Sequence, residues 1–300
     1  MSERAGSLPA AYWELTKPRL SFLSVLTSLA GYFCSAPEQG VDARVLVSLA
    51  IGTALAAGGC GAVNMWWESD ADAKMERTRN RPIPAGIIRP GAALLFGMLL
   101  LALGVGLVWN GANPLAGALT AATAISYLFF YTPLKTMTSW CTLVGSLPGA
   151  IPPIIGTASK LGQHGGVAHI DTMGWLLFGL LFFWQVPHFM ALAVICREDY
   201  ARGGFKVATV DDPSGRSAAR WALLFIIPML FVAGAIATIF FPGWTSPYVW
   251  ISFIAGAWFF KLTLDFALPQ RRAAVAKPLF LASILYLPVV LLTLTLNRLF

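Results

Sequence analysis

The sequence predicts an all-α protein. The expected architecture is a polytopic membrane bundle of about nine transmembrane helices around a central cavity, N-in and C-out. Three observations predict it. Of the 300 residues, 57% are hydrophobic and only 12% charged, against about 25% charged in soluble domains. With a mean hydropathy of +0.69, a single soluble core would lack the polar residues to cover its surface. Apolar runs of ~20 residues, the length a helix needs to cross a bilayer, recur near 20–36, 43–65, 91–110, 115–131, 140–158, 173–195, 218–240, 246–266 and 277–297. Finally, the basic residues segregate. With the N-terminus in the cytoplasm, all 21 Lys and Arg except Arg44, Lys160 and Arg298 fall on the cytoplasmic side, as the positive-inside rule asks of nine spans. A wrong span count would scramble that pattern.

The chain reads as one domain over residues 1–300. Residues 1–16 form a polar N-terminal tail without the apolar core of a signal peptide. The first span is short and ends at Ser35-Ala36-Pro37. The second runs straight into the first charged loop, 66–90. The fifth carries Gly145, Pro148, Gly149, Pro152, Pro153 and Gly156, which in membrane helices permit kinks and close packing around a cavity. The sixth ends in the second charged loop, 196–217. The cytoplasmic loops near 132–139 and 267–276 are shorter, and the far-side loops are poor in charge. Chemistry is therefore expected on the cytoplasmic face, between the two charged loops.

The net charge of +7 does not imply nucleic acid. The basic residues lie in short loops between spans, so the expected surroundings are a lipid bilayer. Cys34, Cys60, Cys141 and Cys196 are scattered, with no Cys-x-x-Cys pair, and read as ordinary apolar helix residues. His164 and His169 read as loop histidines.

The stretch from Asn64 to Pro82 holds both signs of charge in a chain that has little of either. Asn64, Glu68 and Asp72 are four residues apart and share one helix face. Three oxygen-bearing side chains on one stripe suit a hard cation such as Mg²⁺. Asp70 lies off that face. Lys74 and the arginines Arg77, Arg79 and Arg81 suit phosphate oxygens. The plainer alternative is a helix capped by Asn64 with a solvated charge run. In the second loop, His188 stands in an apolar run, where an ionisable group is expensive and usually functional. Glu198 and Asp199 can supply a second carboxylate cluster, and two such clusters suit a diphosphate bridged by metal ions. Lys17 and Arg19 at the entry of the first span, and Lys135 at the end of the fourth, add cations that also serve as topology signals.

These residues resemble the UbiA superfamily of intramembrane prenyltransferases, and within it the heme-farnesylating (heme O synthase) branch. Asn64, Glu68 and Asp72 occupy the superfamily's Asn-x-x-x-Asp-x-x-x-Asp pattern. Asp72-Ala-Lys-Met-Glu-Arg77-Thr-Arg-Asn-Arg81-Pro82, Pro187-His188-Phe189, Arg197-Glu198-Asp199-Tyr200, Thr16-Lys17-Pro18-Arg19 and Gly149 to Gly156 resemble stretches of the heme branch in its order. One departure stands out. Glu68 replaces the usual Asp, so its carboxylate reaches about 1 Å further from the helix.

The resemblance implies farnesyl diphosphate as donor, heme B as acceptor and Mg²⁺ as cofactor. Asn64, Glu68, Asp72 and Asp199 are then the catalytic metal ligands. Lys74, Arg77, Arg81, Arg197, Glu198, Tyr200, Lys206, Lys17, Arg19 and Lys135 are the substrate-binding set. His188 either positions heme or contacts diphosphate. The lack of a signal and the one-sided positive charge imply a cell inner membrane, with the active site facing the cytoplasm. A heme-modifying enzyme or an oxidase assembly partner would lie downstream. A UbiA-type enzyme with an aromatic or quinone-precursor acceptor is the nearest alternative. A polytopic transporter is the alternative of a different class.

Overall fold

The computed structural model describes residues 7–300; the beginning of the predicted tail, including Arg4, lies outside the described residues. Among the described residues there are helices and no strands. The predicted tail is corrected from Leu8 onward, where the chain folds into α1 (Leu8–Leu15). Pro9 sits in its first turn, where a missing N–H costs nothing. Ala11 and Leu15 are buried beside Ala62, Met65, Ile88 and Ala93.

The chain then forms α2 (Pro18–Cys34), α3 (Ala43–Trp67), the short α4 (Ser69–Lys74), α5 (Pro90–Gly111), α6 (Pro114–Leu134), α7 (Cys141–Leu161) and α8 (Thr172–Ile195). Two short helices, α9 (Arg197–Arg202) and α10 (Ala208–Asp211), precede α11 (Arg216–Phe240), α12 (Pro247–Ala267) and α13 (Arg272–Leu299). Eight of these are long and apolar enough to cross a membrane. The other long one, α2, has 17 residues, roughly 26 Å of helix. The two predicted charged loops are not open loops: the first holds α4, the second α9 and α10.

Helix starts follow local chemistry. Asp42 accepts from the backbone N–H of Arg44 and Val45, Asn113 from Ala116, and Asp171 from Gly174. Each satisfies donors that the helix cannot pair internally. Pro18, Pro90, Pro114 and Pro247 each open a helix.

Helices α3 and α5 make the tightest pair. Gly52 and Gly59 meet Gly97 and Gly104 at a spacing of seven on both helices, and a Cβ on Gly104 would lie 2.4 Å from the Ala56 nitrogen. Small residues let backbones approach closely where lipid offers no hydrophobic drive. The largest core cluster gathers residues of α8, α11, α12 and α13, among them Leu180, Trp184, Ile226, Phe259 and Tyr286. The start of α2, the end of α3, the end of α6, the start of α7 and the end of α8 converge at one end of the bundle.

Candidate active site

Two adjoining pockets lie within the bundle, the polar one at the end where the helix termini converge. A polar pocket of about 180 Å³ is lined by Lys17, Asn64, Glu68, Asp72, Arg77, Arg81, Lys135 and Tyr200. An apolar cavity of about 310 Å³ is walled by residues of α2, α3, α6, α7 and α8. Lys17, Leu20, Tyr127, Tyr131 and Phe189 line both, so the pockets meet at these side chains.

The predicted stripe survives a change of helix. Helix α3 ends at Trp67, yet Glu68 N–H donates to Asn64 O at 2.9 Å and Asp72 N–H to Glu68 O at 2.8 Å. The helical register therefore continues into α4, and all three side chains are buried. Asn64 is oriented by its neighbours. Its Nδ2 donates to Thr132 Oγ1 at 3.1 Å, and Thr132 Oγ1 donates to Tyr127 O at 2.9 Å. That leaves the Asn64 oxygen facing the pocket. A π-helical turn over Ser126–Tyr131 sets Tyr127 and Tyr131 at the junction; such turns often mark functional sites.

Each member of the stripe holds one basic side chain. Lys17 Nζ donates to Asn64 Oδ1 at 2.5 Å. Lys135 Nζ lies 2.6 Å from Glu68 Oε1 and 4.5 Å from the Tyr131 ring centre. Arg81 Nη1 lies 2.7 Å from Asp72 Oδ2. Burial alone would raise the Glu68 carboxyl, but the ammonium groups of Lys135 and Lys17 outweigh it and hold it below its ordinary value. Burial pulls the other way on Lys135, and Glu68 overrides it upward. Both directions describe a charged pair. Lys17 is pushed down to about 7, chiefly by burial and against the pull of Glu68. Its backbone is left-handed, with φ of 48°.

Asn64, Glu68 and Asp72 suit a hard divalent ion: an amide oxygen and two carboxylates. Asp72 Oδ1 is buried with no hydrogen-bond partner, which is a donor oxygen left over for such an ion. Among the described residues no three His, Cys, Asp or Glu side chains cluster; the stripe reaches three oxygen donors by including the Asn64 amide.

The second acidic cluster is not brought into the pocket. Asp199 Oδ1 accepts from Glu76 N–H at 3.0 Å and from Arg202 Nη2 at 2.7 Å. It clasps the turn after α4, and Arg202 holds its carboxyl below the ordinary range. Asp72 and Asp199 thus sit at the same end of the bundle, but Asp199 does not line the pocket. Glu198, Lys74, Arg19 and Lys206 are exposed and line neither pocket. Lys206 contributes its backbone N–H to Lys135 O at 2.7 Å, and Arg197 donates to Pro213 O at 3.0 Å. His188 lines the apolar cavity instead of the polar pocket.

A model described as the UbiA prenyltransferase family matches residues 24–284. The chain belongs to this family. A protoheme IX farnesyltransferase of Opitutus terrae is 42% identical over 294 residues, covering 96% of this chain and 95% of that protein. One of Solibacter usitatus is 38% identical, covering 96% and 98%. Among solved structures, one described as digeranylgeranylglyceryl phosphate synthase in membranes superposes with a TM-score of 0.78 at 14% identity, covering 97% of this chain and 99% of that one. A UbiA homolog from Archaeoglobus fulgidus bound to GPP and Mg²⁺ gives 0.64 at 14% identity, covering 95% and 99%. At such identities the likeness shows the UbiA fold.

Tyr127, Tyr131 and Thr132 went unassigned in the sequence. The i, i+4 aromatic pair at the end of a span was the available signal.

Proposed function

We propose that this protein transfers the farnesyl group of farnesyl diphosphate to a vinyl group of heme B, with water addition, giving heme O. The observation that carries prenyl transfer is the polar pocket, with its three oxygen-bearing side chains and ring of cations, adjoining an apolar cavity that shares five of its lining residues. Such a site binds a diphosphate head and a hydrocarbon tail together. The heme acceptor rests on the relatives named protoheme IX farnesyltransferase and the heme-branch motifs.

Asn64, Glu68 and Asp72 would hold Mg²⁺, which would supply charge neutralisation for the departing diphosphate. Arg77, Arg81 and Lys135 bind its oxygens with fixed positive charge, and Lys17 adds a charge that depends on pH. The aromatic faces of Tyr127, Tyr131 and Phe189 lie where head meets tail, and favour the allylic cation left there. The cavity walls keep bulk water from that cation. The vinyl π-bond attacks it, forming the new C–C bond. Asp199 acts by holding the Glu76 turn that carries Arg77.

The one-sided distribution of Lys and Arg supports a polar pocket that faces the cytoplasm from a cell inner membrane. The product would pass to a heme-modifying enzyme or to oxidase assembly. The test is incubation of membranes containing the protein with heme B, farnesyl diphosphate and Mg²⁺, followed by mass analysis of the extracted heme. A farnesylated, hydroxylated heme is expected. Unmodified heme alongside prenylated hydroxybenzoate in a parallel reaction would overturn the acceptor. Prenyl diphosphate translocated by proteoliposomes without covalent product would overturn the enzyme.

A further inference from the structure

Two side chains of α8 that line the apolar cavity, Gln185 and His188, each carry an acceptor with no donor among the described residues. His188 Nδ1 lies 2.7 Å from Ser283 Oγ. The single hydroxyl proton of Ser283 is already given to Phe280 O, at 2.6 Å. Ser283 can therefore only accept from His188, so Nδ1 carries the ring proton and Nε2 the lone pair. The ring is held between Trp184, with centres 5.2 Å apart, and Phe280, with centres 4.8 Å apart. Trp184 Nε1 in turn donates to Ser283 O at 2.9 Å. The imidazole is thus fixed in tautomer and in plane.

Gln185 is fixed in the same way. Its Nε2 donates to Ser146 O at 3.2 Å and to Leu181 O at 3.0 Å, which uses both amide hydrogens. Its Oε1 packs against Gly149 and meets no donor among the described residues. Gln185 is 6% exposed. Residues 185 and 188 are three apart and share one helix face, and both line the cavity. Acceptors without donors are costly in an apolar chamber. A water molecule donates two hydrogens and keeps an oxygen lone pair, so its chemistry matches two unmet acceptors on one cavity wall.

We propose that Gln185 and His188 hold the water that completes the reaction, with His188 Nε2 as the base that takes its proton. The proposal rests on the reading of the protein as a heme farnesyltransferase. Once the farnesyl carbon has bonded to the outer vinyl carbon, the inner vinyl carbon is left cationic. The water oxygen bonds to that carbon, one O–H bond breaks, and its proton passes to Nε2. The imidazolium then releases the proton to solvent, and the carbon keeps the hydroxyl. No oxidant or reductant is needed. A held water explains how a cavity that excludes bulk water from the farnesyl cation still delivers one molecule to the later one.

The test uses the full chain in membranes with heme B, farnesyl diphosphate and Mg²⁺, reading diphosphate release and extracted hemes separately. In His188→Gln, heme O formation is expected to fall about 10²–10⁴-fold, the usual contribution of a positioned base. Diphosphate release should fall far less, and a farnesylated heme lighter by one water should appear. Added imidazole should restore heme O in His188→Ala. Ser283→Ala, which frees the tautomer while keeping the ring, should lose about tenfold and serves if the His188 variants do not fold. Heme O formed at the parental rate by His188→Gln would overturn the proposal. Equal loss of diphosphate release and heme O would also overturn it, because His188 would then act before the water step. A shifted Soret band of bound heme in His188→Ala would overturn it as well, since the lone pair would lie on iron. Failure of the parental protein to modify heme at all is a different result and strikes the farnesyltransferase reading itself.

Discussion

Arg81 Nη1 lies 2.7 Å from Asp72 Oδ2, while the other oxygen of that buried carboxylate, Oδ1, has no hydrogen-bond partner. One oxygen is neutralised by a residue nine positions on, and the other is left for a cation. Asp72→Asn keeps the shape and removes the charge. Arg81 is 21% exposed and can turn to solvent, so insertion should be unaffected. Turnover should fall at least about 100-fold, in line with loss of one transition-state contact. The Mg²⁺ concentration for half-maximal rate should rise. Full activity at the parental Mg²⁺ requirement would remove Asp72 from the site.

Glu68 and Lys135 form a buried pair, and breaking such a pair by removing one partner costs about 3–5 kcal/mol. Glu68→Gln should therefore lower the melting temperature of the solubilised protein. The pair also sets a pH dependence. The folded carboxyl lies below its ordinary value of 4.5, so its contribution is present above that value. It is lost as pH falls through the lower folded value. Melting curves of the parental protein should drop on acidification below about 4.5, and Glu68→Gln should lack that share of the drop. Parallel curves for the two proteins would deny the pair its role.

Lys17 lies at the junction of the two pockets and is held near 7 by burial. The ammonium form dominates at pH 6 and the amine at pH 8. Affinity for a non-hydrolysable farnesyl diphosphate analogue should therefore weaken across that interval. Lys17→Arg, charged throughout, should flatten the profile. An unchanged slope in Lys17→Arg would assign the pH dependence to the diphosphate or to another group.

Asp199 touches the Glu76 turn and Arg202. If it positions that turn, Asp199→Asn should raise KM for the donor by about tenfold, consistent with a displaced charge-assisted contact. The Mg²⁺ midpoint should stay in place. A shift in that midpoint, with KM unchanged, would return Asp199 to the metal.

The span positions were legible because ~20-residue apolar runs bounded by charge, Pro or Gly leave few alternatives. The Asn64–Glu68–Asp72 stripe was legible because i, i+4 spacing is local. The partners that neutralise it were not, since Lys17 and Lys135 lie far off in sequence and meet it only through packing of α2, α3 and α6. Asp199 misled for the same reason. Its acidity was visible, but the Glu76 N–H that it satisfies was not. Helix α1 was missed because eight residues carry too little periodicity. Gln185 precedes the Pro187-His188-Phe189 motif and went unassigned, because its proposed role depends on Ser146 of another helix having taken its donor.

Thr53 lines the apolar cavity well away from the metal-ligand stripe. It lies on α3 about 16 Å along the helix from Asn64. The other cavity threonines turn their hydroxyls to their own helices: Thr27 to Leu23 O, Thr120 to Ala116 O and Thr123 to Leu119 O. Thr53 Oγ1 has no partner. Replacing an unsatisfied hydroxyl by a methyl group of similar shape is neutral to stabilising. Thr53→Val should therefore keep activity and raise the melting temperature slightly. Thr53→Phe fills the space where the far end of a long tail would lie. It should reduce kcat/KM for farnesyl diphosphate by about 10–100-fold, the scale of pocket-size discrimination. Geranyl diphosphate, one isoprene unit shorter, should be affected much less. Equal losses with both donors would place the tail elsewhere in the bundle.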